Sequence, residues 1–258
     1  MVRESETLEK DAYLSLSQNR FEEAFKLFKK AGEAHKSSGN HKQAALCFAS
    51  AASCWGKKYG ERTFFNAALS YENAAKEAEI SGDLEYASVM YKHAAINHEM
   101  DAEFFNFSDC FYKSKECYRR FLIRGFMSPG KIDPIMKIDE YSGIYGVIKR
   151  AFLLIMLTFS FLVWGHGERP SRTLITGFAV IILSAFFYTF GVFTGVESRV
   201  SPDFFEALYA SIITFATVGY GDLTPVGPIR VIAMIEALSG VIVSSLFIVG
   251  ISRKYLRI

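Results

Sequence analysis

The chain has 258 residues, half of them hydrophobic, and a net charge of +2 at pH 7. That length allows two domains, and a nearly neutral chain without basic clusters argues against nucleic acid as a partner. The charges are unevenly placed, because residues 1–150 hold 22 Lys and Arg and 21 Asp and Glu, whereas residues 151–258 hold only 7 and 6. The sequence therefore predicts a soluble part at 1–125, a linker with an interfacial helix at 126–172, and a membrane part at 173–258.

The soluble part repeats a helical pattern: an alanine, an aromatic residue four positions later, and a small residue three positions after that. The copies are Ala24–Phe28–Ala31, Ala44–Phe48–Ala51, Ala67–Tyr71–Ala74 and Ala87–Tyr91–Ala94, with a degraded copy at Phe107–Phe111–Ser114. Positions i, i+4 and i+7 share one helix face, so each copy is one amphipathic helix. The pairs Gly39–Asn40, Tyr59–Gly60 and Gly82–Asp83 are typical of the turns between such helices. We predict a right-handed solenoid of helical hairpins.

The stretch "FEEAFKLFKKAGEAHKSSGNHKQAALCFASAASC" at 21–54 resembles the tetratricopeptide-like solenoid of soluble NSF attachment proteins. The resemblance covers about residues 5–125, and it implies a fold more than a function. A solenoid offers a concave surface to a protein or peptide partner, or serves as an assembly scaffold. The sequence leaves these two roles open.

Cysteines and histidines of the soluble part suggest no chemistry of their own. The cysteines form two pairs spaced seven residues apart, Cys47/Cys54 and Cys110/Cys117. No histidine stands near them at a spacing typical of zinc sites, so we interpret them as reduced core cysteines. We expect core or solvated side chains at the histidines, His35, His41, His93 and His98.

Two apolar runs of the membrane part are long enough to cross a bilayer. Leu174–Thr194 contains no charge, and Val231–Ile251 contains only Glu236. At 1.5 Å per residue each spans a hydrocarbon core of about 30 Å. Both are predicted to be transmembrane helices.

A third run, Ala151–Gly165, reaches only about 22 Å as a helix. We therefore predict a helix at 144–165 in the cytoplasmic interface. Basic residues support two crossings, because they precede the first long run and follow the second, at Arg169, Arg172, Arg253, Lys254 and Arg257. This arrangement, with a first segment too charged for a signal peptide, predicts a multi-pass cell-membrane protein with both termini in the cytoplasm.

Between the two crossings the sequence predicts a half-helix. Ser201 is expected to cap it, Pro202 to occupy its first turn, and the glycines after Ala216 to end it. Its length of about 20 Å allows it to dip into the membrane without crossing. Irregular backbone at that depth is tolerated only where it is buried in protein or lines a water-filled cavity.

The segment after this half-helix reads Thr217–Val218–Gly219–Tyr220–Gly221–Asp222 and resembles the selectivity filter of potassium channels. A column of carbonyl groups facing one axis needs backbone that alternates between ordinary and positive φ, which Gly219 and Gly221 adopt at little cost. The resemblance implies that the carbonyls of Thr217, Val218, Gly219 and Tyr220 coordinate K⁺. It also implies that Asp222 and Tyr209 tether the loop, and that four chains surround one axis.

Other positions agree with this resemblance or depart from it. Gly240 is either a gating hinge or a close-packing site, and the pore cavity is predicted to be lined by Val241, Ser244, Ser245 and Ile248, with Phe247 a weaker candidate. Ile213 stands where some bacterial channels carry a glutamate. Because burying an acid in a membrane is costly, Glu236 is a functional suspect that either pairs with hydroxyls of the half-helix or stays protonated, and we expect a structural anchor rather than a gating sensor.

Together these features predict an all-α chain that forms a homotetrameric K⁺ channel, with K⁺ in the filter and no organic cofactor. Gating or assembly would involve the solenoid, and the partners would be the lipid membrane and three further copies of the chain. Two alternatives are a weakly selective cation channel and a membrane-anchored adaptor whose pore does not conduct. An enzyme is disfavoured because no phosphate-binding glycine loop or nucleophile motif is found.

Overall fold

The computed structural model describes residues 2–55, 63–127, 143–194 and 199–255. The chain divides into two compact units, Met1–Thr158 and Phe159–Arg257. The boundary falls within the segment 126–172 that the sequence assigns to a linker and an interfacial helix. The predicted turn at Tyr59–Gly60 lies outside the described residues.

The first unit contains an array of helices in which each packs against the next. Their bounds are α1 Val2–Ser17, α2 Phe21–Ser37, α3 His41–Trp55, α4 Thr63–Ser81, α5 Leu84–Met100 and α6 Phe104–Met127. The predicted helices are therefore present. The assignment to a tetratricopeptide-like family stays a prediction.

Positive φ values end these helices. Gly39 and Gly82 have φ of 76° and 86°, as their predicted turns require. Asn19 and Ala102 also have φ of 59°, although only asparagine of these two favours that conformation. Asp83 then caps α5, where its carboxylate accepts a 3.0 Å hydrogen bond from the Tyr86 amide.

The aromatic residues of the repeat fill the space between helices. Phe28, Phe48 and Tyr91 are buried, while Tyr71 and Phe111 are half-buried against the same core. Small residues make room for them: a Cβ on Gly32 would stand 2.8 Å from the Phe48 ring. The core is thus built from alternating bulky and small side chains.

The prediction that the apolar run Ala151–Gly165 forms a helix too short to cross a membrane was wrong. Helix α7 covers Gly143–Trp164, and its 22 residues reach about 33 Å. Tyr145–Gly167 is accordingly one of three helical segments in the described chain that are long and apolar enough to cross a membrane. The sequence-based estimate fell short because it began at Ala151, after Lys149 and Arg150, whereas the helix continues through these residues.

The other two candidate crossings are α8, Pro170–Tyr188, and α10, Ile229–Tyr255. Helix α8 ends before the predicted Thr194. A Cβ on Gly191 would stand 2.8 Å from Cγ1 of Ile229, so the chain turns tightly against the start of α10 there.

The described residues are mostly helical, which is consistent with the all-α prediction, and the unexpected addition is one small sheet. Strand β1, Val192–Thr194, pairs antiparallel with β2, Arg199–Val200, and with β3, Thr224–Val226. Phe193 of β1 is buried and packs edge-on against Tyr188, with ring centroids 5.2 Å apart. The strands are too short for a periodicity signal, and they lie where the sequence shows only an apolar run and a loop.

Candidate functional site

The candidate site begins with α9, Phe204–Phe215, which is the predicted half-helix. Its N-cap is Asp203 and not the predicted Ser201. The Asp203 carboxylate accepts a 2.8 Å hydrogen bond from the Glu206 amide, and the Glu206 carboxylate accepts one of 3.2 Å from the Asp203 amide. This capping box satisfies the first turn of α9 and fixes where the helix starts.

The residues after α9 form the filter loop, 217–222. The Val218 and Gly219 amides donate hydrogen bonds of 2.9 and 3.2 Å to the carbonyl of Ile213, which holds the start of the loop on the last turn of α9. The loop leaves through β3, whose pairing with β1 holds its other end. Both ends of the filter loop are therefore attached to regular structure.

Backbone conformation alternates along the filter loop. The φ angles of Thr217, Gly219 and Gly221 are 59°, 54° and 80°. A Cβ on Gly219 or Gly221 would meet nothing within 4 Å in this chain, so the backbone angle and not crowding calls for glycine. Positive φ at Thr217 was not predicted, and it is unusual for a β-branched residue.

Asp222 joins the filter loop to α9. Tyr209 donates a 2.8 Å hydrogen bond to its Oδ2, and the Leu223 amide donates one of 3.1 Å to Oδ1. The first of these is the contact that the sequence led us to expect. Ile213, which stands where some bacterial channels carry a glutamate, is buried.

Side chains of the filter loop and of the predicted cavity face outward from the single chain. Val218 and Tyr220 are 52% and 72% exposed. All four predicted cavity residues are exposed as well, namely Val241, Ser244, Ser245 and Ile248. Ser244 and Phe247 also line an apolar groove of about 130 Å³ beside Gly177 of α8.

Gly240 lies where α10 touches the end of α9. A Cβ there would stand 2.1 Å from the Phe215 carbonyl oxygen and 2.9 Å from its carbon. No side chain fits at this separation, so glycine is required for close packing. The packing interpretation of Gly240 thus has direct support, and the hinge interpretation has no structural observation of its own.

Glu236 joins three helices of this unit. It is 1% exposed, and its carboxylate accepts hydrogen bonds from the hydroxyls of Tyr188 on α8 and Ser211 on α9. Ser211 also approaches the Ile181 carbonyl at 2.8 Å. Sequence reasoning expected a hydroxyl of the half-helix beside Glu236, which is Ser211, but it did not anticipate Tyr188, for which the available signal was a polar group within an apolar helix.

A second buried acid was missed altogether. Glu168 stands before α8 and is fully buried, and its Oε1 lies 3.4 Å from an Arg253 guanidinium nitrogen near the end of α10. A Cβ on Gly167 would stand 3.0 Å from the same guanidinium. Nearby, Arg172 donates a 2.7 Å hydrogen bond to the Phe161 carbonyl. The Glu168–Arg253 contact joins the start of α8 to the last turns of α10, and the Arg172 hydrogen bond joins α8 to α7.

Comparison with known proteins agrees with the site. Residues 175–257, about a third of the chain, match the model of a family described as ion channels. Potassium channel protein 1 of Methanocaldococcus jannaschii is 43% identical over 65 residues, which are 22% of this chain and 20% of that protein. Protein LctB of Bacillus caldotenax is 38% identical over 80 residues, which are 30% of this chain and 60% of that protein. Protein LctB of Geobacillus stearothermophilus matches to the same extent.

The matched region therefore spans between a fifth and three-fifths of the length of these curated relatives. No solved structure matches the chain. The matches and the three apolar helices indicate a membrane protein whose residues 175–257 are similar to ion channels, and they point away from an enzyme.

Proposed function

We propose that the chain forms a homotetrameric, K⁺-selective channel. The observation that carries this proposal is the filter loop, in which Thr217, Gly219 and Gly221 alternate in positive φ at the end of a capped half-helix. A dehydrated K⁺ ion needs closely spaced carbonyl oxygens in place of its water shell. We assign this role to the carbonyls of Thr217, Val218, Gly219 and Tyr220, with Gly221 completing the turn.

The half-helix adds an electrostatic contribution. Helix α9 has 12 residues and ends at the filter loop, so the partial negative charge of its C-terminus lies beside Thr217. Such a terminus favours a cation. It does not separate K⁺ from Na⁺, which we attribute to the carbonyl column.

Four copies are proposed because one chain supplies only one side of such a column. The exposed apolar surface of α10 supports association, since it must be covered by lipid or by neighbouring copies. It includes Met234, Leu238, Val241, Ile242 and Ile248. Gly240 and Glu236 face inward on the same helix and position the filter loop within each copy.

We further propose that α8 and α10 cross the membrane, with α1–α6 and the end of α10 in the cytoplasm. The basic residues Arg169, Arg172, Arg253 and Lys254 support this orientation, because the positive-inside rule places them on one side. Helix α7 then lies at the interface despite its length. A reporter fused before Val2 should be active in the cytoplasm, whereas an external signal would mean that α7 crosses.

The helical array is proposed to influence gating or assembly and to offer a surface to a protein or peptide partner. Support comes from its independent core and its regular stacking. Deletion of residues 1–125 should change flux or the number of chains per channel. Unchanged values for both would leave the array with neither role.

The central experiment is uptake of radioactive rubidium into K⁺-loaded vesicles that contain the purified chain. Gly221→Ala should abolish uptake, because alanine resists the φ of 80°. Gly227→Ala is the matched control: Gly227 has φ of 71° and open space around it, but it lies outside the filter loop. Reversal potentials in mixed Na⁺ and K⁺ then separate a selective channel from a weakly selective one.

Two results would contradict the proposal. The first is absence of uptake from a detergent-purified particle that contains one or two chains, which is the behaviour of an adaptor with a non-conducting pore. The second is equal loss of uptake in both glycine variants, which would place the effect in general strain.

A further inference from the structure

The first unit contains an internal repeat of three helices. Helices α2 and α5 begin 63 residues apart and end 63 residues apart. The positive-φ positions follow the same offset, with Asn19 matched by Gly82 and Gly39 by Ala102. Helices α4–α6 thus repeat α1–α3, although only ten of the 54 aligned positions between 2–55 and 65–118 are identical.

Each copy of the repeat places a carboxylate, an imidazole and a thiol together. The first triad is Glu9, His35 and Cys47, and the second triad is Glu72, His98 and Cys110. All three positions are among the ten identities. In each triad the ligand atoms lie within 4.8 Å of one another, and the three residues come from three successive helices.

The contacts inside the triads are close. Nε2 of His35 is 3.4 Å from Oε2 of Glu9, and Nε2 of His98 is 2.8 Å from Oε1 of Glu72. The histidines and cysteines are buried, whereas the glutamate side chains keep 19% and 16% of their exposure. An ion therefore has a route in from solvent along the carboxylate.

The thiols are held protonated when no cation is present. Burial, together with the neighbouring Glu9 carboxylate, raises the pKa of Cys47 to about 12. Burial and Glu72 raise the pKa of Cys110 as well. A metal ion removes this constraint because it replaces the thiol proton and offsets the carboxylate charge.

We propose that each triad binds one divalent cation of borderline softness, with Zn²⁺ the best match, so that the chain holds two ions. Carboxylate, imidazole and thiolate are all zinc ligands, and bonds of about 2.0–2.3 Å put tetrahedral ligands ~3.3–3.8 Å apart. The triads need only a small contraction to reach this spacing. Three protein ligands leave the fourth position to water, and each ion joins three consecutive helices.

The two triads differ in what competes for the glutamate. Nζ of Lys76 lies 3.3 Å from Oε2 of Glu72, so a cation already neutralises the second triad. Glu9 instead accepts hydrogen bonds of 2.8 and 3.0 Å from the neutral Gln43 amide. The first triad should therefore bind the ion more tightly.

The test uses the full chain, purified in detergent and freed of metal with a chelator. Titration with Zn²⁺ should give two bound ions per chain by elemental analysis, and Co²⁺ should give the near-ultraviolet absorption of a cobalt–thiolate bond. Cys47→Ser and Cys110→Ser should each leave one ion, and the double variant should leave none. Cys47→Ser should remove the tighter site.

A matched control is available in the same helices. Cys54 and Cys117 are also buried, seven residues further along, and lie outside both triads. The Cys54→Ser/Cys117→Ser double variant should keep two ions and the cobalt–thiolate absorption. Helix content by circular dichroism accompanies each variant.

Absence of bound metal and of cobalt–thiolate absorption in the unaltered chain overturns the proposal, whatever the variants do. So does a control variant that loses its ions while the triad variants retain theirs. Both measurements are made without ion flux, so they stand or fall apart from the channel proposal.

Discussion

Two buried carboxylates, Glu77 in the first unit and Glu236 in the second, have different kinds of partner. Glu77 of α4 is 1% exposed, and its oxygens lie 2.9 Å from Nζ of Lys36 and 2.7 Å from Nδ1 of His41. Glu236 of α10 is equally buried, yet the hydroxyls of Tyr188 and Ser211 donate to it. Where water is near, a charged partner is held at the surface, as in Lys36, which is 58% exposed. Around Glu236 hydroxyl donors serve instead and avoid burying a second charge there, whereas Glu168 of the same unit lies beside Arg253.

The units also use glycine differently, and this gives the largest expected effect. Gly240→Ala drives a Cβ into the Phe215 backbone, whereas Gly32→Ala meets only the Phe48 ring, which can rotate away. We expect Gly240→Ala to destabilise the channel by ~3 kcal/mol or more per chain and to abolish flux, and Gly32→Ala to cost ~1 kcal/mol. Thermal unfolding of each variant measures the difference.

Gly250→Ala serves as the control on the same helix, because its Cβ would find Pro170 at an ordinary 3.5 Å. A stable Gly240→Ala tetramer that fails to conduct would instead favour the hinge interpretation of this glycine.

A single type of substitution should affect the two buried acids unequally. Glu77→Gln leaves Lys36 and His41 without a charged partner and should cost ~1–2 kcal/mol of unfolding free energy. Glu236→Gln keeps one oxygen that accepts from one hydroxyl, and its NH2 group can donate to the oxygen of the other, so it should cost under ~1 kcal/mol. Denaturant midpoints of the two variants check this order.

Glu236→Ala provides the reference, since it removes the acceptor of the buried Tyr188 hydroxyl and leaves Ser211 only the Ile181 carbonyl, and it should cost ~2–4 kcal/mol. A larger loss for Glu236→Gln than for Glu77→Gln would remove the contrast between hydroxyl and cationic partners.

The same contrast predicts a pH dependence confined to the helical array. Burial acts to raise the pKa of Glu77, but hydrogen bonds and charge from His41 and Lys36 outweigh it, so the pKa lies below its ordinary value. A depressed pKa contributes stability that is present above the ordinary value, about 4.3 for glutamate, and is lost as the pH falls. The melting temperature of the array should decline on acidification below that pH. The decline should be shallower in Glu77→Gln, and an identical slope in that variant would exclude Glu77 as the cause.

Helix caps give the smallest expected effect. Asp203→Ala removes a full capping box, and Asp83→Ala removes a single cap, so we expect losses of ~1.5 and ~1 kcal/mol respectively. Substitution by asparagine should recover most of the stability at both sites. Equal losses at the two positions would mean that the Glu206 half of the capping box contributes nothing measurable.

Periodicity and hydropathy were sufficient for much of the fold. The helices of the array, the half-helix and the three apolar helices were predicted from patterns that extend over many residues. The β1–β3 sheet could not be, because its strands have two or three residues and are fixed by pairing across the chain. The helix predicted at 144–165 matches α7, but its reach was underestimated because the apolar run was counted only from Ala151, after Lys149 and Arg150.

The features of the candidate site that depend on backbone conformation were predictable from the sequence. The positive φ of Gly219 and Gly221 was predicted, as was the hydrogen bond between Tyr209 and Asp222. Contacts that depend on the packing of distant segments could not be predicted from the sequence. Glu168 and Arg253 are 85 residues apart in the chain, and each triad brings together side chains from three helices. The 63-residue repeat was the available signal for the triads, but the more obvious pattern that recurs in every helix obscures it.

Two groups of contacts attach helix α10 to its neighbours. In the first half of the helix Glu236 and Gly240 contact α9, and near its C-terminal end Arg253 lies beside Glu168. Between Gly240 and Arg253 lie twelve residues, about 18 Å of helix. Bending of α10 that leaves both groups of contacts intact is confined to the segment between Gly240 and Arg253. This segment contains the predicted cavity residues Val241, Ser244, Ser245 and Ile248.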